Sequence, residues 1–228
     1  MQSTTWASVA QGISKVMMMT HTLYREGSID SLKNDFVFVI TGAKGFNKKG
    51  CAPRVREMLR IVSTYNPINM GSMEVGNLGR GMPPKEIINN ITDAAIVQAA
   101  FDDKETVIKV LKALKDADLG ISVTISGLTE EVKEIMEKAG VGDHPHTTNL
   151  ALGFMGMREK AASDDVRLIT TMCGHHMISK DITKHLLDMI KNGRITPMEA
   201  AIRLSKQCTC GAFNTVRAAQ IFEQLAKK

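Results

Sequence analysis

The sequence predicts an α/β protein in which a mostly parallel sheet of about five to six strands is flanked by helices. Apolar runs typical of buried strands alternate with helical patterns between residues 35 and 140. Capping and stop signals mark the helix ends, among them Asp102 or Asp103 before one helix and Gly140 after the next. Such β-α-β-α alternation is typical of parallel sheets with right-handed crossovers.

The composition is that of an ordinary globular protein. Of the 228 residues, 43% are hydrophobic and 23% are charged, which argues against wholesale disorder. Aromatic residues make up only 4% while there are 15 methionines, so aliphatic side chains and methionine must fill the core. The net charge of +5 fits an anionic partner, but few aromatic residues are available for stacking, so a nucleic-acid surface is not favoured.

The N-terminal region predicts an amphipathic helix. Trp6, Val9 and Ile13 recur at helical spacing, so we expect a helix from about Thr5 to Tyr24 whose apolar stripe covers the body of the protein or a second subunit. The longest apolar run, Val16 to Met19, is far too short to span a membrane and has no basic segment before it. We therefore expect a cytoplasmic protein with no membrane association.

The sequence divides into three consecutive segments. Residues 1–34 form the N-terminal helical segment, residues 35–172 the α/β core, and residues 173–228 a C-terminal helical segment packed on that core in one globular unit. The sequence predicts strands at Phe36 to Ile40, Ile68 to Met73, Ala94 to Phe101, Gly120 to Ser126, Leu150 to Phe154 and Val166 to Thr171.

The C-terminal segment predicts three helices, at residues 179–192, 196–206 and 214–226. The middle helix begins with a capping box, in which Thr196 and Glu199 cap one another and Pro197 occupies the first helical position. The first two helices are joined by a short turn that starts at Gly193, which predicts a helical hairpin.

Three cysteines flank this hairpin. Cys173 precedes it, and Cys208 and Cys210 follow it, so two antiparallel helices of similar length would bring the three thiols together. Cys51 follows a strand and precedes a helix, and such turns share the carboxyl edge of a parallel sheet. We therefore predict Cys51 as a fourth member of the site.

Thiolates are soft ligands that suit Zn²⁺, Cu(I) or iron–sulfur clusters. The Cys-x-Cys spacing departs from the Cys-x(2 to 4)-Cys pairs of most zinc sites, whereas an iron–sulfur cluster offers separated iron corners. An iron–sulfur cluster is therefore placed ahead of zinc. The alternative that all four cysteines are simply buried thiols stays open.

Two histidines adjoin the first of these cysteines. Gly174 lets the backbone bend sharply between Cys173 and the pair His175 and His176. At least one of the two is then a candidate catalytic residue, acting as an acid, a base or a ligand.

A glycine- and lysine-rich loop at residues 41–50 predicts an anion-binding site. It lies between a strand and a helix, where backbone N–H groups and lysines can face an anion. It matches neither the P-loop nor the G-x-G-x-x-G pattern. The candidate cofactor-binding residues are Gly42, Lys44, Gly45, Asn47, Lys48 and Lys49.

These features predict a cysteine-ligated metal or iron–sulfur enzyme that performs redox or Lewis-acid chemistry on an anionic small molecule. A non-enzymatic module with a structural metal, which binds a nucleotide, a nucleic acid or a partner protein, is the first alternative. A metal-free thiol enzyme, in which Cys173 is the nucleophile and Cys208 or Cys210 resolves it, is the second.

Overall fold

The computed structural model describes residues 5–8, 24–151 and 157–228. Its main sheet has five strands in the order β4-β3-β5-β2-β6, and a separate two-stranded sheet pairs β1 with β7. The strands are β1 (Thr5–Ser8), β2 (Phe36–Thr41), β3 (Asn69–Ser72), β4 (Gly76–Asn77), β5 (Ile96–Phe101), β6 (Ser122–Ser126) and β7 (Thr147–Leu150).

Helices cover both faces of the main sheet. Short 3₁₀ turns lie at Leu78–Arg80 and Arg158–Lys160. Within the described parts of the chain, no helix is long and apolar enough to cross a membrane. The α-helices are α1 (Ile29–Leu32), α2 (Ala52–Ser63), α3 (Pro84–Asn89), α4 (Lys104–Ala117), α5 (Thr129–Lys138), α6 (Asp164–Thr170), α7 (Lys180–Lys191), α8 (Pro197–Ser205) and α9 (Thr215–Ala226).

The prediction of a mostly parallel sheet is wrong, because every neighbouring pair of strands in the main sheet is antiparallel. The strands joined by a helical crossover do run parallel, since β2 and β3 are both antiparallel to β5, and β5 and β6 are both antiparallel to β2. Each crossover, however, skips one position, and a strand from the other crossover fills the gap. This is the split β-α-β arrangement.

Two further predicted elements differ. Val166 to Thr171, expected as a strand, lies almost entirely in α6, where Asp164 and Asp165 occupy the first turn and favour a helix. At the N-terminus Thr5–Ser8 is a strand rather than the start of a helix, and residues 9–23 lie outside the described residues. The predicted strand from Leu150 to Phe154 overlaps only the end of β7, and residues 152–156 are also outside the description.

The helices of the C-terminal segment are confirmed. In the capping box, the Glu199 N–H donates to the Thr196 hydroxyl at 3.2 Å, and the Thr196 N–H donates to the Glu199 carboxylate at 2.7 Å. Gly193 follows α7 with a φ of +65°, a left-handed conformation that suits glycine after a helix.

Side chains alternate across β2 and so separate two cores. Phe36, Phe38 and Ile40 pack in the first core with α2, α4 and α5. Val37 and Val39 pack in the second core with α6 to α9. Because successive strand residues point to opposite faces, the two cores lie on opposite sides of the sheet.

A buried ionic cluster anchors the second layer to the sheet. Asp35, directly before β2, accepts hydrogen bonds from Arg25 Nη1 at 2.6 and 2.7 Å, from Arg217 Nη1 at 3.1 Å and from Asn214 Nδ2 at 3.1 Å. Arg25 Nη2 also donates to the Ala212 carbonyl at 2.7 Å. The carboxylate and both guanidinium groups are almost completely buried. Burial raises the pKa of Asp35, but the two arginines outweigh it, so the pKa lies below its ordinary value.

Replacement of Asp35 by asparagine would leave two buried guanidinium groups without their counter-ion. We expect Asp35→Asn to lower the free energy of unfolding by about 3–5 kcal/mol at pH 7, measured in urea. Asp30→Asn is the control, since Asp30 forms a surface pair with Lys33 and its side chain is 87% exposed, so its replacement should leave the free energy of unfolding almost unchanged.

The pH dependence tests the same interaction. Because the folded-state pKa of Asp35 is lowered, its stabilisation is complete above the unfolded-state pKa and is lost as the pH falls through the folded-state pKa. The difference in free energy of unfolding between the natural chain and Asp35→Asn should therefore become smaller below about pH 4. An equal difference in free energy of unfolding at pH 3 and pH 7 would show that ionised Asp35 does not stabilise the fold.

Gly211 allows the loop before α9 to touch the sheet. Its φ is +90°, and a Cβ atom there would lie 2.7 Å from the Gly71 N atom and 2.8 Å from the Met70 carbonyl carbon, both in β3. Only a residue without a side chain fits at this contact.

Gly211→Ala should lower the free energy of unfolding by about 2–5 kcal/mol, because backbone strain and overpacking add. Gly193→Ala is the matched control: its φ is also positive, but no atom lies within 4 Å of the added Cβ, so strain alone should cost about 1–2 kcal/mol. Urea unfolding of both variants measures the difference. Equal costs would refute the close approach.

Candidate functional site

Three cysteines meet in the second core. The Sγ atoms of Cys208 and Cys210 are 3.7 Å apart, and Cys173 lies near enough to Cys208 for each to shift the pKa of the other. All three are free thiols and completely buried. Cys173 follows α6 rather than a strand, and Cys208 and Cys210 lie between α8 and α9. The chain from α7 to α8 therefore returns to its starting point, as the sequence predicts.

The three thiols differ in acidity because they share protons. Hydrogen bonds from Cys173 and Cys210 lower the pKa of Cys208 strongly, against the effect of burial. The hydrogen bond to Cys208, followed by burial, raises the pKa of Cys173 and of Cys210 far above the ordinary value of a thiol. Ionisation of the middle thiol, Cys208, is therefore the one that both neighbouring thiols would stabilise.

Main-chain N–H groups add to this stabilisation. The N–H groups of His175 and Met177 lower the pKa of Cys173, and those of Cys210 and Gly211 lower the pKa of Cys208. Hydrogen bonds to the charged form of a group favour that form. These main-chain donors partly offset the effect of burial on the ionised forms of Cys173 and Cys208.

A buried asparagine holds the Cys-x-Cys turn in place. Asn77 Nδ2 donates to the carbonyl of Cys208 at 2.9 Å and to that of Thr209 at 3.0 Å. Its Oδ1 accepts from the Arg80 N–H at 3.2 Å, so the same side chain also caps the 3₁₀ turn after β4. Asn69 acts alongside it, since its Oδ1 accepts from the Gly79 N–H at 3.1 Å. The glycine-rich loop after β3 thus supports the cysteine turn.

Asn77→Ala would leave the buried carbonyl of Cys208 and the half-buried carbonyl of Thr209 without this donor. We expect the free energy of unfolding to fall by about 2–4 kcal/mol, and the thiols of Cys208 and Cys210 to react faster with a thiol reagent under native conditions. Asn90→Ala is the control, because Asn90 is exposed and makes one side-chain hydrogen bond, to the Glu86 carbonyl; its cost should be within about 0.5 kcal/mol. Unchanged thiol reactivity in Asn77→Ala would show that this side chain does not hold the turn.

Cys51 does not join the other three cysteines. It packs in the first core, on the opposite face of the sheet. Its Sγ donates to the Asp93 carbonyl at 3.6 Å, and burial together with Asp93 raises its pKa. Its predicted place rested on a shared edge of a parallel sheet, which the antiparallel order removes. The structure therefore assembles three cysteines instead of four.

The start of α2 is capped from within the chain. The Asp93 carboxylate accepts from the Gly50 N–H at 2.6 Å and from the Ala52 N–H at 2.8 Å. These are the backbone donors that the predicted anion site would use. Because Asp93 lies more than 40 residues away in sequence, its role could not be found from the spacing of the loop.

The remaining residues of the Gly/Lys loop are placed separately from the thiols. Asn47 accepts from the Ala43 N–H at 2.6 Å and donates to the Gly120 carbonyl at 2.6 Å. Gly42 is buried against Cys51, since a Cβ there would lie 2.8 Å from the Cys51 sulfur. The loop's other candidate residues lie at or near the surface: Lys44, Gly45, Lys48 and Lys49.

The two candidate histidines occupy one turn but different surroundings. His176 is exposed and has a φ of +54°, and its N–H donates to the Cys173 carbonyl at 3.0 Å. The ring nitrogens of His175 are buried. His176 is therefore the one that a ligand in solvent can reach.

The chemistry of the donor set suits a soft metal ion. Two thiolates on one tetrahedral ion with bonds of about 2.3 Å stand roughly 3.8 Å apart, close to the 3.7 Å between Cys208 and Cys210. The third thiol, that of Cys173, does not yet share a common centre with these two. Among the described residues, no group of three or more His, Cys, Asp or Glu is arranged to hold a metal ion.

The chain matches no protein-family model, no curated protein and no solved structure with which it was compared. Its function is therefore argued from the residues of the site alone.

Proposed function

We propose that the protein is a cysteine-ligated metalloprotein in which Cys173, Cys208 and Cys210 bind one soft metal ion such as Zn²⁺. The observation that carries this proposal is the cluster of three buried free thiols in which Cys208 lies between Cys173 and Cys210. Free cysteine is often buried singly as a small apolar residue, whereas three cysteines gathered at one point are typical of a ligand set.

The sulfur spacing favours a single ion over the iron–sulfur cluster that the sequence places first. In a [4Fe–4S] cluster each thiolate binds a different iron atom, and the inorganic core holds the thiolates apart. The 3.7 Å between the sulfurs of Cys208 and Cys210 instead fits two corners of one tetrahedron around a single ion. Metal binding would replace the S–H hydrogen bonds and release their protons, so affinity should rise with pH.

Burial limits what the ion can do. A Lewis acid must be reached by its substrate, whereas the three cysteines are completely buried. A structural ion such as Zn²⁺, or a redox-active ion such as copper, needs no direct contact with substrate, so these two roles are favoured. In the enzymatic form of the proposal, exposed His176 carries protons at the surface above Cys173. The reduced thiols suit the cytoplasm, and self-association through the N-terminal segment stays a prediction.

Metal-free thiol chemistry is the second candidate. The lowered pKa of Cys208 favours the thiolate, which is the form that attacks a disulfide. Its complete burial opposes this candidate, because reactive cysteines are partly exposed.

Metal analysis of protein purified without oxygen tests the proposal. We expect about one metal ion per chain, and Co²⁺ in its place should give sulfur-to-metal charge-transfer absorption. Serine at Cys173, Cys208 or Cys210 should weaken binding by roughly a hundredfold or more, since even supporting residues of metal sites contribute 10–100-fold. Cys51→Ser is the matched control, because it removes a buried cysteine from the opposite face, and its affinity should be unchanged.

The other outcomes separate the alternatives. Iron with stoichiometric sulfide would replace the single ion by a cluster. An equal loss of affinity in Cys51→Ser would contradict the three-cysteine site. Protein that takes up no metal yet exchanges disulfides through Cys208 would favour the thiol enzyme.

A further inference from the structure

A cleft of about 410 Å³ opens beside the turn that carries Cys173. One side is formed by residues 160–162, the back by the end of α6, and the other side by residues 176–180. This volume falls in the range of small-molecule sites. The cleft lies on the C-terminal layer, on the far side of the sheet from the core that contains Cys51 and α2.

The charge of the cleft is positive. Lys160, Arg167 and Lys180 line it, and none of its described lining residues is acidic. The Arg167 guanidinium forms ion pairs with Glu26 at 2.8 Å and with Asp164 at 2.7 Å, so its position in the lining of the cleft is fixed and its charge is already paired. Lys160 and Lys180 are exposed and add positive charge to the cleft.

The two sides of the cleft are tied to the rest of the fold. Lys180 Nζ donates to the Lys160 carbonyl at 3.4 Å, which joins one side to the other. The Ser179 N–H donates to Gln207 Oε1 at 2.7 Å, directly before Cys208 in the chain. The cleft is therefore largely formed before any ligand binds, which reduces the entropy cost of binding.

The turn from Cys173 to His176 is shared by the cleft and the thiol cluster. N–H groups of this turn lower the pKa of Cys173 on its inner side. The exposed His176 lines the cleft on its outer side, with the left-handed backbone that histidine adopts more readily than most residues. A ligand in the cleft would thus lie against the same turn that positions Cys173.

We propose that this cleft binds a small molecule bearing phosphate or carboxylate groups, held by Lys160 and Lys180 and contacted by His176. The anionic class of the ligand follows from the exposed Lys160 and Lys180 that line the cleft, and binding in the cleft does not require the metal. It also moves the anion site away from the Gly/Lys loop, where Asp93 already accepts from the helix N–H groups.

An NMR titration of the full chain with pyrophosphate and, separately, with citrate at constant ionic strength tests the cleft. Saturable shifts should appear at residues 160–162, 170–171 and 176–180. The double variant Lys160→Ala/Lys180→Ala should bind about tenfold more weakly, because it loses two charge-assisted contacts. Lys184→Ala/Lys191→Ala is the control: it removes two exposed lysines of α7 that do not line the cleft, and its affinity should be unchanged.

Tighter binding of pyrophosphate would assign a phosphorylated ligand, and tighter binding of citrate a carboxylate ligand. The proposal is overturned if neither probe saturates, if both double variants lose equal affinity, or if the shifts centre on residues 44–49. Metal content measured on the same samples distinguishes the two proposals. Anion binding without metal would refute the metal site alone, and metal without anion binding would refute the cleft alone.

Discussion

The buried carboxylate of Asp35 between two guanidinium groups is the interaction on which the C-terminal half depends. It joins the segment before β2 to Arg25 and to Arg217 of α9. A buried charge is tolerated only when it is fully paired, so the two arginines and the carboxylate must be placed together. Through Arg25 the cluster also holds the carbonyl of Ala212, two residues after Cys210.

The cysteine turn is thereby fixed from three directions. The ionic cluster holds its end, Asn77 holds the carbonyls of Cys208 and Thr209, and Gly211 lies against the backbone of β3. These contacts are buried and polar or very close, so few rearrangements are open to the turn. Thiols held in this way keep their mutual spacing, which is what a metal site requires of its ligands and their supporting shell.

The local features were predictable from the sequence, whereas the spatial order of the strands was not. The capping box at Thr196 and the return of Cys208 to Cys173 depend on spacing within one segment, which the sequence contains. The β-α-β pattern is identical whether the next parallel strand is adjacent or one position away, so a parallel sheet was the wrong inference. The prediction that Cys51 joins the other cysteines was wrong for the same reason, since it assumed a parallel sheet. Long-range partners such as Asp93 and Asn77 leave no local signal.

The thiol cluster and the cleft form a connected arrangement on one layer of the fold. Cys173 links the two, because its carbonyl accepts from the N–H of His176, which lines the cleft, and its sulfur lies near Cys208. A change of charge at the sulfur atoms would alter the electrostatic potential in the cleft one turn away, since electrostatic interactions are strong in a buried environment. Electron transfer or structural support from the metal is compatible with this separation, and direct attack on a ligand by the sulfur is not.

X-ray absorption spectroscopy at the metal edge of the loaded protein tests the central claim most directly. The account predicts a single ion with three sulfur neighbours at about 2.3 Å and no second metal nearby. The spectrum of metal-loaded Cys51→Ser should be identical to that of the natural chain. Neighbours of nitrogen and oxygen alone, or a metal–metal neighbour, would contradict the single three-cysteine site.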